Sequence, residues 1–204
     1  MIEEFSELEG QSHKCKGQLI KLPNRNLSTP KKATYKLNID LTNKDFVFDH
    51  AKRRRESNIE RWGKSLNVKN KQADEYGVLG ERGFQDLTGM PMDTRIGPRS
   101  PYDFKAKDLE IDIKCTTGHW LSVKRGRLLG HEHKDYWYVL CVGNLETFDV
   151  EFVGCISGDM VRNKGRHFEE DDGFGVHEDN LDPIDKMYNM LKERGCLNSC
   201  GEWK

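Results

Sequence analysis

No stretch of the chain approaches the ~18 consecutive apolar residues that a membrane-spanning helix requires. The opening Met1-Ile2-Glu3-Glu4 is acidic where a secretory leader would be basic. The expectation is a soluble, cytoplasmic protein with no membrane partner. A surplus of either charge is missing as well: 33 Lys and Arg stand against 34 Asp and Glu, for a net charge of −1. That total does not advertise nucleic-acid binding, so any phosphate-binding surface has to come from uneven distribution. Apolar residues make up only 35% of the 204, enough for one ordinary core beneath a highly charged surface. Internal repeats and long low-complexity tracts are absent. The six cysteines lack the spacing of a zinc or disulfide framework, since Cys196-x-x-x-Cys200 is the only close pair and no His doublet follows it. Cys115, Cys141 and Cys155 fall in strand-like runs, where free cysteine behaves as a small buried residue, and reduced thiols suit a cytoplasmic compartment. A tail zinc site at Cys196 and Cys200 stays open as the lesser alternative, and His131-Glu132-His133 fits a polar turn better than a metal site.

Against this background one segment stands out. Leu109, Ile111, Ile113 and Cys115 alternate with Glu110, Asp112 and Lys114, the period-two pattern of a half-buried strand. Asp112 and Lys114 then project from one face, roughly 6.5–7 Å apart along the strand, with Asp103 just upstream in Ser100-Pro101-Tyr102-Asp103-Phe104. Two carboxylates and a lysine at a sheet edge provide what metal-dependent phosphodiester hydrolysis requires. Mg²⁺ takes oxygen ligands, often one or two carboxylates plus water and phosphate, and lysine offers a compact charge for phosphate or an attacking water. An acid-x-Lys triplet is cheap in a chain that is 33% charged, and Glu132-His133-Lys134 and Glu202-Trp203-Lys204 also match. A solvated strand face is the competing reading. Strand context separates Asp112-x-Lys114 from the other two.

The surroundings add to it. Tyr76, Leu79, Gly80, Gly83, Phe84 and Leu87 recur at helical intervals and predict a helix over Gln72 to Leu87, with Gly89 and Pro91 as stop signals. Its glycines suggest close packing on a sheet, and Glu81 flanks the stripe. Downstream, His119 to Lys124 predicts a short strand and Tyr136 to Val142 a buried one.

Helix with glutamate, strand with aspartate, and strand with acid-x-lysine, in that order, resemble the PD-(D/E)XK nuclease superfamily. The layout is similar to phage-encoded members, in which a basic helix precedes Gly-x-x-Gly-Glu, here Gly77-Val78-Leu79-Gly80-Glu81. The resemblance spans roughly Ala51 to Glu193. It implies an α/β, restriction-endonuclease-like core, a central mixed β-sheet flanked by helices in αβββαβ order. It also implies a DNA endonuclease dependent on Mg²⁺, with Mn²⁺ able to substitute. Glu81, Asp103 and Asp112 then fall on metal-binding positions and Lys114 on the catalytic lysine. Two departures are visible: Tyr102 separates Pro101 from Asp103, and the second acid is aspartate where glutamate is commoner. Glu110 shares the Asp112 side of its strand and is a lower-ranked outer-shell candidate.

The organisation expected is an accessory segment over residues 1–66, with a strand near Ala33 to Leu41 and a basic helix, and a nuclease-like core over 67–204 ending in a helix and short tail. The polar run Gly165 to Gly175 is expected to be a loop. Arg53 and Arg54 lie on the basic helix, which fits a phosphate backbone or a solvated face equally well. Lys124, Arg125 and Arg127 directly follow a core strand and are the better phosphate contacts, with Lys105 beside them. DNA is the expected partner, and a homodimer would suit double-strand cleavage. Two other readings stay open: a non-cutting member of the fold that binds DNA or a partner protein, and a ribonuclease.

Overall fold

Apolar spacing and glycine punctuation set most of the elements. The computed structural model describes residues 20–21, 34–39, 43–62, 72–97, 101–130, 135–170 and 172–197. In chain order these form β1 (Ile20–Lys21), β2 (Tyr35–Asn38), α1 (Lys44–Trp62), α2 (Ala73–Thr88), β3 (Phe104–Ala106), β4 (Leu109–Thr116) and β5 (Trp120–Lys124). Then come α3 (Arg125–Leu129), β6 (Tyr136–Asn144), β7 (Asp149–Ser157), α4 (Gly158–Lys164), β8 (Arg166–Phe168), β9 (Gly173–His177) and α5 (Ile184–Glu193). The expected His131-Glu132-His133 turn and Cys200 lie outside the described residues. Cys196 is a buried free thiol.

Six strands make a mixed sheet in the order β1-β2-β7-β6-β4-β3. β4 runs parallel to β6, with Asp112 opposite Tyr138 and Lys114 opposite Leu140, and the other neighbours are antiparallel. One face of the sheet is covered by α1, α2 and α5 through Val47, Ala51, Val78, Leu79, Phe84, Ile184, Met187 and Leu191. The opposite face is covered by a second, three-stranded sheet, β5-β9-β8, whose Leu121, Val123 and Val176 pack with Val161 of α4 against Tyr138, Leu140 and Ile156. The protein is thus α/β, with a mixed sheet between two layers. α2 lies unusually close to it: a Cβ added at Gly80 would stand 2.6 Å from the Cys115 Cβ.

Several expectations change. β4 is not half-exposed, because Asp112 and Glu110 are only 1% and 5% exposed. The second sheet buries the polar side of the strand as the helices bury the apolar side. β5 leaves the central sheet and pairs with β9 instead. The polar run at 165–175, expected to be a loop, contains β8 and β9, paired from Arg166↔Gly175 to Phe168↔Gly173. β2 and α1 precede residue 66, yet Leu37, Ile39, Val47 and Ala51 enter the same core cluster as α2, and β2 pairs with β7 along Tyr35↔Phe152 to Asn38↔Asp149.

Candidate active site

β3 pairs with β4 only as far as Ile111, so the rest of β4 runs past the end of its neighbour. Asp103, just before β3, continues the ladder with its side chain. Its backbone N–H donates to the Ile111 carbonyl at 2.9 Å, and its Oδ2 accepts the Ile113 N–H at 2.7 Å. A carboxylate standing where a strand would otherwise continue is held in register with Asp112 and Lys114. The loop leading to it is pinned as well: the Pro101 carbonyl accepts from Arg127 Nη2 at 2.6 Å and from the Tyr136 hydroxyl.

Asp112 sits between two cations. Lys114 Nζ is 2.8 Å from its Oδ1 and Arg127 Nε is 3.2 Å from its Oδ2, and the Tyr136 hydroxyl is 3.4 Å from Oδ2. Burial works to raise the Asp112 pKa, but the Lys114 and Arg127 charges outweigh it, so the carboxyl titrates below its usual range. Asp103 behaves in the opposite way. Desolvation, together with the negative charges of Glu81 and Asp112, pushes its carboxyl well above the ordinary value. The two carboxyls are thereby driven in opposite directions, Asp112 toward its charged form and Asp103 toward its neutral one. Burial also raises Glu81, against the pull of Arg54. The Arg54 guanidinium grips both Glu81 oxygens at 2.6 and 2.5 Å, and both residues are buried.

Glu81, Asp103, Asp112 and Lys114 all line one cleft of about 390 Å³, together with Arg54, Arg127, Trp120 and Ser122. The helices supply one wall and the small sheet with α3 the other. Among the residues expected to contact nucleic acid, Arg54 is turned inward onto Glu81 and Arg127 onto Asp112. Arg53 is exposed on α1 and is not part of the cleft lining. Lys105 is exposed and lies 3.6 Å from Glu110, which is also outside the lining, so Glu110 does not join the acids. Lys124 and Arg125 are exposed at the start of α3, and Arg125 borders a separate hollow with Leu128, Arg162 and Phe174.

Sequence reasoning passed over Trp120, Tyr136 and the Arg54–Glu81 pair. Trp120 carried a signal, a large ring on the polar side of a predicted strand. The ion pair carried none, since it depends on how α1 packs across α2. Among the described residues, no group of three or more His, Cys, Asp or Glu side chains forms a ready-made metal cage. The chain matches no protein-family model and no curated protein sequence.

Proposed function

We propose that the chain is a divalent-metal-dependent hydrolase of DNA phosphodiesters, with the restriction-endonuclease-like core that the PD-(D/E)XK resemblance implies. One observation carries the reading: an acid from α2, an acid before β3, and an acid and a lysine from β4 line the same cleft. The run from α2 to β6 also follows the helix-strand-strand-strand-helix-strand order, although β5 pairs outside the central sheet.

The donor set fits Mg²⁺ or Mn²⁺. Asp103 and Asp112 are hard oxygen donors; burial, with carboxylate repulsion added to it, raises Asp103 and Glu81, and a cation would favour their charged forms. Mg²⁺ needs only one or two carboxylates because it keeps much of its water. Asp103 and Asp112 are the proposed ligands, with Glu81 as support. Such an ion supplies charge neutralisation at phosphate and a more acidic water. The chain's own contribution is positional. Lys114, already held at the cleft by Asp112, orients the attacking water and offsets charge growing on phosphorus. Arg127 fixes Asp112 and offers a guanidinium to a phosphate oxygen. The Arg54 clamp keeps Glu81 in a single rotamer.

The matching of Asp112 and Glu81 to internal cations favours a second reading, in which these acids are structural and the protein binds DNA or a partner without turnover. Supercoiled circular DNA incubated with Mg²⁺, Mn²⁺ or EDTA decides between them. Hydrolysis predicts nicked or linear product only with metal, and a loss of at least ~100-fold in Asp112→Asn and Lys114→Ala. Salt-sensitive binding with no product in any metal supports the second reading, and selective loss of a matched RNA indicates a ribonuclease.

A further inference from the structure

The sheet β5-β9-β8 has an inner and an outer face, and the outer one is chemically distinctive. Trp120 lies opposite His177, Ser122 opposite Gly175 and Lys124 opposite Gly173. Arg166 lies opposite Gly175 and Phe168 opposite Gly173. Residues paired across an antiparallel ladder share a face, so Trp120, His177, Phe168, Lys124 and Arg166 lie together, while Leu121, Val123 and Val176 point into the core. Trp120 is 46% exposed, and the other large apolar residues that open among those described, Ile59 and Leu129, are aliphatic.

The indole is nonetheless fixed. It meets the Phe168 ring at 6.0 Å and 79°, and the His177 ring at 5.1 Å and 71°. The Arg166 guanidinium stands 5.4 Å from the Phe168 centroid. Gly175 makes the arrangement possible, because a Cβ there would stand 2.3 Å from Phe168 Cε2. Trp120 and Ser122 also line the cleft that holds Asp103 and Asp112, so the aromatic face runs directly into the proposed site. Acidic groups do lie nearby: Glu178 is 2.8 Å from His119, and Asp172 is 3.8 Å from His167. Glu169, Glu170 and Asp172 follow β8 at the Lys124 end of the ladder, where the Arg125 N–H donates to the Asp172 carbonyl at 2.8 Å. At the Trp120 end the acids are matched to histidines, Glu178 to His119 and Asp179 to His177 at 3.0 Å.

We infer that this face is a nucleobase-stacking platform, and that the cleft takes a DNA strand that is unpaired beside the cleaved phosphate. A duplex closes its base faces against one another, whereas an unpaired base offers a π-face to an aromatic ring. Lys124 and Arg166 supply charge for the accompanying backbone. The inference rests on the hydrolase reading of the cleft and names its substrate class: single-stranded DNA, or a single-stranded stretch within a larger molecule.

The test is binding of a labelled oligothymidine and of a blunt duplex to the full chain, by fluorescence anisotropy in EDTA so that nothing is cut. Trp120→Ala should weaken single-strand binding by roughly 5- to 150-fold and leave duplex binding and thermal melting unchanged. Trp120→Phe should restore most of the affinity. No loss in Trp120→Ala, or an equal loss for both DNAs, overturns the platform, and tighter Trp120-dependent binding of a matched RNA overturns DNA as its occupant. The two ideas fail separately. Trp120-dependent binding by a protein that cuts no DNA in any metal keeps the platform and removes the hydrolase. Metal-dependent cutting of single and double strands at equal rates, with or without Trp120, does the reverse.

Discussion

The two walls of the cleft are built on opposite principles. On the helix wall, charge is satisfied within the protein: Arg54 and Glu81 are buried against each other, and α2 presses on the sheet through Gly80. On the small-sheet wall, rings and cations face solvent: Trp120 is 46% exposed, and Lys124 and Arg166 are open. The helix wall can hold an acid still. The opposite wall can receive something. The difference separates residues whose loss should unfold the protein from residues whose loss should only blunt recognition.

The largest expected effect is on the helix wall. Arg54→Met leaves Glu81 buried without its partner and should cost about 3–5 kcal/mol, measured by urea unfolding. The double variant with Glu81→Leu should recover most of that stability while remaining unable to cut, which separates Glu81 as a structural group from Glu81 as a site group. Next is acid sensitivity at His50, which is 4% exposed and stacked on Phe46 at 5.3 Å. Burial, with Arg54 and Arg53 nearby, pushes its pKa down to about 4, below the ~6.5 of an unfolded histidine. Between those values the unfolded chain binds the extra proton, so stability should be full above pH ~6.5 and fall as pH drops toward ~4, by on the order of 2 kcal/mol. Unfolding curves of His50→Gln should show a flatter dependence across that window. Gly80→Ala should lose roughly 1–3 kcal/mol by overpacking, despite a gain in helix propensity of about 1 kcal/mol; an unchanged melting temperature would show that α2 can lift off the sheet. Smallest is the stability change in Trp120→Ala, expected within ~0.5 kcal/mol. A loss comparable to that of Arg54→Met would erase the contrast between the walls.

What was legible in the sequence was local. The stripe on α2, the alternation of β4 and the apolar run of β6 each report their own backbone period, and each element forms within a few residues of its expected position. Glu81, Asp103, Asp112 and Lys114 could be grouped from the sequence because their elements follow one another closely in the chain, and they line one cleft. Non-local partners were not legible. β8 and β9 are short and β9 carries glycines that lower strand propensity, so their polar surroundings read as a loop. The burial of Asp112 depends on a second sheet built partly from those unread strands. For Arg54, basic neighbours suggested a phosphate contact, and only the crossing of α1 and α2 reveals the carboxylate it holds.

The pairing of β2 with β7 joins Tyr35 to Phe152, and this bears on how the molecule comes together. A strand made early on the ribosome has only the two residues of β1 beside it until the chain has been extended by more than half its length. Such a long loop closure slows folding and leaves both strands open in the interval. Trimming the chain at residue 66 would make that condition permanent. β7 would lose its outer neighbour over Asp149 to Phe152 and present the backbone donors and acceptors of that stretch along the sheet margin, a template for another copy of the chain to pair with. A shortened form intended to isolate the cleft should therefore come out as an oligomer or a precipitate.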